Sequence, residues 1–226
     1  WSRVIYFQRE PHFIKPLFMN HNFPSDILYD GTYEKCHNVP TWWINLSFDE
    51  LNNLPYPTKT KKISTVTSGK SGIETYNNRL KFLRHFCQEY KNTDVYGRGT
   101  QQFVGECWKG ELNYDKNCKF KGHEDYEYSL VLENVLEPNT WTEKPSDSFL
   151  AWSLPIYSGA SNFINYFPEE SFYQIDTANY DINKIIEFIS EPPSKLQIEA
   201  LNEARQLLLH KWNIWPTIKR ILDERT

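Results

Sequence analysis

The sequence predicts an α/β fold built on a parallel sheet, and three observations carry that prediction. From about residue 61 onward, short apolar segments alternate with longer amphipathic ones, as strands and helices do in such folds. Several apolar segments are followed by glycine or by a helix-capping residue, where the chain turns. Before residue 61 the pattern differs, and a polar segment punctuated by Pro55 and Pro57 marks a junction between the two parts.

The strands are predicted from short runs rich in β-branched, aromatic or other apolar residues. They cover residues 62–67, 93–96, 128–132, 154–157 and 172–175, and residues 1–7 also read as a strand. Residues 100–125 are polar and aromatic without a clear period, so no element is assigned there.

The helices are predicted from apolar spacing and from capping residues. Residues 74–90 place Leu80, Leu83 and Cys87 on one face. Thr142 is the expected N-cap of a helix over 143–152, and Asp181 that of a helix ending at 190. Residues 194–197 form a capping-box pattern that opens a last helix, which Pro216 breaks or restarts.

Composition excludes some classes of protein. The 226 residues are 39% hydrophobic, enough for one good core or two small ones. The net charge of −4 gives no reason to expect nucleic acid as a partner, and no apolar run is long enough for a transmembrane segment. The four cysteines form no C-x-x-C pair, which favours reduced thiols in a cytoplasmic protein, with a Cys107–Cys118 bridge as the alternative.

The segment after the strand at 128–132 carries residues suited to a nucleotide diphosphate. Glu133 and Asn134 follow the strand directly, and Thr142, Glu143 and Lys144 open the next helix. Ligands of open α/β sheets bind at the carboxyl ends of strands, and a helix N-terminus attracts anions. Lys144 would add a full positive charge, and Glu143 could accept hydrogen bonds from ribose hydroxyls. The alternative is a solvated Glu-Lys pair in a first helical turn.

These motifs together resemble the signature of the α1,3-fucosyltransferases of glycosyltransferase family 10, in their bacterial-like type. The resemblance rests on Glu-Asn, Thr-Glu-Lys and Pro-x-x-x-Gly in the right order, and it covers about residues 62–226. Further matching positions are Arg79, Phe82, Phe86, Asp94, Val95, Gly97, Asp147, Pro155, Gly159, Phe167, Pro168, Ser171, Phe172 and Asp176.

The resemblance implies a GT-B-like fold with a Rossmann-type donor domain. Residues 61–193 are then the domain that binds a GDP-sugar, and residues 194–226 are C-terminal helices. Residues 1–60 are expected to be the C-terminal part of an acceptor-side domain, which the resemblance implies is truncated. The implied partners are a GDP-sugar donor and an oligosaccharide or glycoconjugate acceptor.

The resemblance also assigns roles to single residues. Arg79 and Lys144 are implied to neutralise the donor pyrophosphate, Glu143 to contact the ribose and Asn134 to contact the donor. The further donor-binding residues that it implies are Glu133, Thr140 and Gly159.

The implied chemistry is inverting transfer of fucose from GDP-fucose by single displacement. Glu10, which ends a strand-like run in this sequence, is the implied base for the acceptor hydroxyl. The sequence has no Asp-x-Asp motif, so Arg79, Lys144 and a helix N-terminus are expected to stabilise the leaving GDP without an essential metal or other cofactor.

Two departures from the family pattern leave the donor open. Thr140 stands where the family usually has tyrosine, and Ser158 stands where it usually has a large residue. Transfer of another GDP-sugar is therefore one alternative. A non-catalytic nucleotide-sugar-binding domain is the other, because the acceptor-side domain is expected to be truncated and the match at Glu10 is short. A Golgi lumenal location is the alternative to the cytoplasm if the chain is a eukaryotic fragment.

Four other motifs have two interpretations each. Residues 68–72 lack the order of a phosphate-binding P-loop but suit a donor loop, and residues 97–99 suit a strand-ending turn better than a phosphate contact. Residues 123–125 favour a solvated loop over a metal or base site. Trp42 and Trp43 favour a core pair over an acceptor platform.

Overall fold

The computed structural model describes residues 5–8, 27–30, 42–112 and 118–223. Glu10, the expected catalytic base, lies outside these ranges. The strands are β1 (Ile5–Gln8), β2 (Ile27–Asp30), β3 (Lys61–Val66), β4 (Thr93–Tyr96), β5 (Trp108–Gly110), β6 (Tyr126–Leu132), β7 (Leu154–Ser158) and β8 (Tyr173–Gln174). The helices are α1 (Phe48–Asn53), α2 (Glu74–Glu89), α3 (Gln101–Val104), α4 (Cys118–Lys121), α5 (Glu143–Leu150), α6 (Ile182–Phe188), α7 (Lys195–His210) and α8 (Ile214–Asp223).

The main sheet is parallel and has the order β5-β4-β3-β6-β7-β8. Within this sheet the chain enters at β3, near the centre, and proceeds outward through β4 to β5. It then returns to the centre at β6 and proceeds outward through β7 to β8 on the other side. The winding direction therefore reverses between β3 and β6, and loops from opposite directions open a crevice at the carboxyl ends of these two strands. Strands β1 and β2 form a separate parallel pair.

Two hydrophobic clusters hold the sheet and its helices together. One contains residues of α2, α6 and the sheet, among them Phe82, Phe86 and Ile156. The other contains residues of α5 and α7 and most of the buried aromatic rings, among them Trp141 and Phe163. Many of the aromatic rings in the described ranges are therefore part of the core, and those around Trp141 and Phe163 pack edge-on or tilted against each other.

Residues 42–54 pack against the same unit. Leu51 of α1 belongs to the cluster of α5 and α7. The guanidinium of Arg205 in α7 donates to the carbonyl of Leu51 at 2.6 Å, and the indole of Trp152 donates to the carbonyl of Leu54 at 3.0 Å. The expected domain division at residue 60 stays a prediction.

The expected elements are present with small shifts at their ends. Thr142, Asp181 and Ser194 are the N-caps that the sequence predicts, and Ser194 forms the full capping box. Pro216 lies in the first turn of α8, so a new helix starts there, after α7 has already ended at His210. Strand β5 and the short helices α3 and α4 fall where no period was visible, because elements of three or four residues are too short to show one.

His123 corrects an expectation. Its side chain is only 4% exposed, and its Nδ1 lies 2.8 Å from the hydroxyl of Ser129, which in turn lies 2.7 Å from that of Ser153. Burial, with nearby Lys119 and Lys59, lowers the pKa of His123 to about 3. A solvated loop is therefore wrong for this residue, which is a neutral histidine in a buried polar network.

Two further expectations are also corrected. Trp43 is 55% exposed, with the ammonium of Lys119 5.6 Å from its ring centroid, so it is not half of a buried pair with Trp42.

Cys87 and Cys107 are free thiols, so the alternative of a Cys107–Cys118 bridge is wrong.

Candidate functional site

The candidate site lies at the crevice between β3 and β6. The loop and helix start that follow β3 meet the loop that follows β6. Thr75 donates its hydroxyl hydrogen to the carbonyl of Asn134 at 2.9 Å, and Arg79 donates to the side-chain oxygen of Asn134. Two residues expected to bind the donor, Arg79 and Asn134, are therefore in direct contact.

Arg79 is held by oxygen atoms of the protein. Its side chain is 1% exposed, and its Nη2 donates to the carbonyls of Ser68 at 2.9 Å and Lys70 at 3.3 Å. Burial lowers its pKa, although Tyr76 and Glu133 oppose that effect. Its Nε is buried and has no hydrogen-bond partner among the described residues. Arg79 therefore fixes the loop at 68–70 against Asn134.

The loop after β3 also contacts the loop after β4 through glycines. The amide of Gly69 donates to the carbonyl of Arg98 at 2.8 Å, and a Cβ on Gly69 would lie 2.0 Å from the carbonyl oxygen of Gly99. A Cβ on Gly97 would lie 1.6 Å from the carbonyl oxygen of Thr67, and Gly97 has a φ of +141°. Only glycine fits either close approach, in agreement with a strand-ending turn at residues 97–99.

Glu133, Thr142 and Lys144 form a compact hydrogen-bonded group. The backbone amide of Thr142 donates to Glu133 at 2.7 Å, and its hydroxyl lies 2.9 and 2.8 Å from the two carboxylate oxygens. The ammonium of Lys144 donates to Glu133 at 3.0 Å and to the Thr142 hydroxyl at 3.1 Å. We call these three residues the lysine clamp.

The clamp keeps Lys144 protonated. Burial alone lowers the pKa of Lys144, but the negative charges of Glu133 and Glu143 outweigh burial, so the pKa is raised. Arg79 lowers the pKa of the same ammonium. The two cations lie near each other, because Arg79 binds Asn134 and Lys144 binds the preceding residue, Glu133. The expected pair of positive groups is thus assembled at one site.

The start of α5 places Glu143 beside the clamp. Thr142 caps the helix by accepting a hydrogen bond from the amide of Lys144 at 3.3 Å. Glu143 is half-buried, and within the described part of the chain its carboxylate takes part in no hydrogen bond or ion pair. It therefore remains available to accept hydrogen bonds from a ligand.

Thr140 lies on the same loop, two residues before the helix cap. Its hydroxyl lies 3.4 Å from the carbonyl of Pro138, and the side chain is half-buried. The next residue, Trp141, packs its ring against Phe163 and Tyr166. The large aromatic side chain is therefore committed to the core here, which leaves the small Thr140 side chain at the surface of the loop.

Gly159 leaves room for the buried end of β7. A Cβ there would lie 2.1 Å from the phenol oxygen of Tyr157 and 2.8 Å from Cγ of Glu133. The phenol is fixed because it accepts a hydrogen bond from the amide of Ala160 at 2.9 Å, and Glu133 donates its amide to the carbonyl of Ser158 at 2.8 Å. Gly159 thus supports the clamp by lacking a side chain.

The structure brings together most of the predicted site residues and shows side-chain contacts of two others, to which the sequence assigned no role in the site. The hydroxyl of Thr142 and the phenol of Tyr157 were missed, because a capping threonine and a strand tyrosine carry no sequence signal for such contacts. The predicted residues that meet at or beside the crevice are Arg79, Glu133, Asn134, Thr140, Glu143, Lys144 and Gly159.

Other features lie away from this crevice. A cavity of about 280 Å³ opens near Lys61, Asp94 and Tyr126, and one of about 520 Å³ opens near Tyr173 and Phe188. Within the described ranges, no group of three or more His, Cys, Asp or Glu side chains is placed to hold a metal ion. The described helices also include none with the length and apolar character needed to cross a membrane.

Comparison with known families identifies the chain. Residues 56–194 match the model of the C-terminal part of glycosyltransferase family 10 (fucosyltransferase). The chain belongs to glycosyltransferase family 10. This family 10 chain is 23% identical over 225 residues to the 4-galactosyl-N-acetylglucosaminide 3-alpha-L-fucosyltransferase 9 of Cricetulus griseus, covering 92% of the chain and 58% of the relative. It is 22% identical, with the same coverage, to the protein of that name from Homo sapiens. The chain thus spans 58% of the length of these curated relatives.

Solved structures resemble the family 10 chain in fold. A mutant of T4 phage BGT in complex with UDP-glucose superposes with a TM-score of 0.56 at 10% identity, covering 92% of this chain and 58% of that one. An α1,3-fucosyltransferase with GDP-fucose gives a TM-score of 0.43 at 17% identity, covering 70% and 49%. The fold is α/β and of the GT-B glycosyltransferase type, as the sequence predicts.

Proposed function

We propose that this family 10 chain carries the donor site of an inverting fucosyltransferase, which transfers fucose from GDP-fucose to a hydroxyl of an acceptor glycan in α1,3 linkage. The observation that carries the proposal is the meeting of Arg79, Asn134 and the lysine clamp at the crevice between β3 and β6, in a chain that matches the fucosyltransferase family model. The relatives, whose names specify a 3-α-L-fucosyltransferase, support the sugar and the linkage.

The charges at the crevice suit a pyrophosphate leaving group. Departure of GDP places negative charge on the phosphate oxygens, and preorganised cations stabilise that charge most where water is excluded. Lys144 and Arg79 are both held in place by the protein, so neither needs to be ordered by the ligand. The carboxylate oxygens of the half-buried Glu143 suit the hydroxyls of the nucleotide ribose.

The donor assignment is tested by charge removal. Lys144→Ala is expected to weaken GDP binding by about 1.5–3 kcal/mol, because it removes a charge-assisted contact. Arg79→Ala is expected to weaken binding by a similar amount, because it removes a buried positive charge beside the crevice and releases the loop at 68–70 and Asn134, which the guanidinium holds. Isothermal titration calorimetry measures the affinity, and Arg84→Ala, an exposed arginine of the same helix α2, is the matched control. If both variants bind GDP as tightly as the parent, the site is misassigned.

The reaction is tested with a panel of donors. Incubation with GDP-fucose and a β-galactosyl-N-acetylglucosaminide acceptor is expected to give a fucosylated product whose anomeric configuration and linkage are read by NMR. Transfer only from another GDP-sugar would select the alternative donor that Thr140 and Ser158 suggest. Binding of GDP without transfer or donor hydrolysis would favour a non-catalytic binding domain.

Catalysis is proposed to need no metal ion. The support is that Arg79 and Lys144 already place two positive charges at the crevice. Transfer is expected to persist in excess EDTA, measured as product formed per minute. Complete loss with EDTA and recovery with Mn²⁺ or Mg²⁺ would contradict this part of the proposal.

Glu10 is proposed as the base that removes the proton of the acceptor hydroxyl. The support is its place after a strand-like run in the family pattern, with β1 covering Ile5–Gln8 just before it. Glu10→Gln keeps the size of the side chain but cannot take up the proton. Transfer is therefore expected to fall by roughly 10²-fold while GDP affinity stays unchanged. Transfer at the parental rate would exclude this role.

A further inference from the structure

Glu133 is a buried carboxylate within a site proposed to bind a phosphorylated ligand, which is itself negatively charged. Its side chain is 2% exposed, so it presents almost no surface to a ligand. A buried carboxylate is costly unless hydrogen bonds and an opposite charge compensate it. Here Thr142 contributes its amide and its hydroxyl, and Lys144 contributes its ammonium. All these donors come from the start of α5.

Lys144 differs from Glu133 in its accessibility. Its side chain is 16% exposed, so part of it reaches the surface at the crevice. An ammonium group has three N–H donors. One is given to Glu133 at 3.0 Å and one to the hydroxyl of Thr142 at 3.1 Å. One donor therefore remains for an oxygen atom outside the clamp.

We propose that Glu133 and Thr142 are positioning residues, which hold the ammonium of Lys144 in one orientation so that its remaining N–H is aimed at a donor phosphate oxygen. The inference rests on the proposed function, because it takes the donor to be a nucleoside diphosphate sugar. It assigns Glu133 to the support of Lys144, not to the direct donor contact that the family pattern suggests.

The geometry explains why a carboxylate stands at this position. A lysine has four flexible bonds and loses considerable side-chain entropy when it is ordered by a ligand. Two fixed acceptors order it before the ligand arrives. Glu133 is itself anchored independently of Lys144, because the amide and hydroxyl of Thr142 hold its carboxylate oxygens. Glu133 and Thr142 can therefore stay hydrogen-bonded to each other when Lys144 is replaced.

A double-mutant cycle on GDP affinity tests the proposal. Glu133→Gln and Thr142→Val are each expected to raise the Kd for GDP about tenfold, because a charge-assisted contact becomes poorly oriented. The double variant Glu133→Gln with Lys144→Ala is expected to bind no more weakly than Lys144→Ala alone, because Glu133 acts only through that lysine. Thr142→Ser, which keeps the hydroxyl, is expected to recover most of the affinity that Thr142→Val loses.

Glu127→Gln is the matched control. Glu127 lies on the same strand, β6, and its carboxylate pairs with Lys62 at 2.6 Å, away from the crevice. Thermal unfolding of every variant shows whether it is folded at the temperature of the titration. The control is expected to bind GDP like the parent.

The pH dependence of binding gives a second measurement. The charges that act on Lys144 are Glu133, Glu143 and Arg79, and only the first two favour its protonated form. Burial lowers the pKa of Lys144 and the charge of Glu133 raises it, so loss of that charge lowers the pKa of Lys144. In Glu133→Gln, GDP affinity is therefore expected to decline at a lower pH than in the parent on titration toward alkaline pH.

The outcomes separate the inference from the proposed function. Failure of the parent to bind GDP overturns the proposed function itself. If the parent binds and Lys144→Ala weakens binding, but Glu133→Gln and Thr142→Val bind like the parent, only the clamp is wrong. Losses from Glu133→Gln and Lys144→Ala that simply add in the double variant also overturn the clamp, because they mean that Glu133 acts by itself.

Discussion

The buried carboxyl group of Asp147 is expected to make the stability of the protein depend on pH. Burial raises its pKa to about 7, although Lys119 and the amides of Trp43 at 2.6 Å and Ile44 at 3.3 Å favour the ionised form. Because the folded pKa lies above the unfolded value of 3.8, the folded state binds this proton more tightly. The contribution of Asp147 to the free energy of unfolding is thus largest below about pH 4 and is lost as the pH rises through 7, on the order of 4 kcal/mol in total.

Asp147→Asn isolates that contribution, because an amide keeps one acceptor oxygen but does not ionise. Urea unfolding at several pH values between 5 and 8 gives the free energy of both proteins. The variant is expected to gain stability relative to the parent as the pH rises. A difference between the two that stays constant over this range would mean that Asp147 is already ionised in the folded state.

Gly159 is expected to tolerate no side chain. The Cβ of Gly159→Ala would overlap the phenol of Tyr157, which is buried and cannot move aside without breaking its hydrogen bond to Ala160. Overpacking of this kind costs about 1–3 kcal/mol, and displacement of Glu133 would weaken GDP binding as well. Chemical unfolding and calorimetry measure both effects, with Ser161→Ala at an exposed neighbouring position as the control. Unchanged stability and affinity would contradict the close packing described here.

Helix α7 depends on its N-terminal capping box. The hydroxyl of Ser194 accepts a hydrogen bond from the amide of Gln197 at 3.3 Å, and the side chain of Gln197 accepts one from the amide of Ser194 at 2.8 Å. Ser194→Ala is expected to lower the free energy of unfolding by about 1 kcal/mol. Lys195→Ala is the control, because that lysine is exposed and its pair with Glu199 contributes little. Equal free energies of unfolding for Ser194→Ala and Lys195→Ala would mean that the capping box does not stabilise α7.

Elements with a strong local signal were predictable, and contacts between elements were not. Apolar spacing and caps located α2, α5 and α7, because those signals lie within the element itself. The sequence also pointed to Arg79 and Lys144. It could not show that Arg79 is bound by two carbonyls of the preceding loop, or that Glu133 pairs with Lys144, since such contacts are set by the winding of the sheet.

Across the chain, Arg205 joins α7 to the residues that precede the sheet. It is buried, donates to the carbonyl of Leu51 at 2.6 Å and lies 3.9 Å from the ring centroid of Trp152. Burial lowers its pKa to about 10. Arg205→Leu is expected to cost about 2–4 kcal/mol, because it removes a charge-assisted hydrogen bond and a cation–π contact. Arg205→Lys is expected to recover little, since an ammonium cannot replace the planar guanidinium.

The same variant tests whether residues 42–54 unfold with the sheet. If they form one cooperative unit, Arg205→Leu shifts a single transition to lower urea concentration, seen alike by circular dichroism and by tryptophan fluorescence. Two separated transitions would support a domain boundary near residue 60. Arg84→Ala, an exposed arginine, serves as the control and is expected to leave the midpoint unchanged.

The buried thiols of Cys87 and Cys107 allow the rate of local opening to be measured. Cys87 lies in α2, and the sulfur of Cys107 lies 3.7 Å from the carbonyl oxygens of Cys87 and Lys91. Burial raises the pKa of Cys87, and thiol reagents attack the thiolate, so alkylation in the native state waits for this edge of the sheet to open. Peptide mass spectrometry at these two positions therefore times that opening without denaturant. Oxidation at either sulfur would therefore show that this part of the molecule had already opened. The oxidation would be a consequence of local unfolding, not its cause.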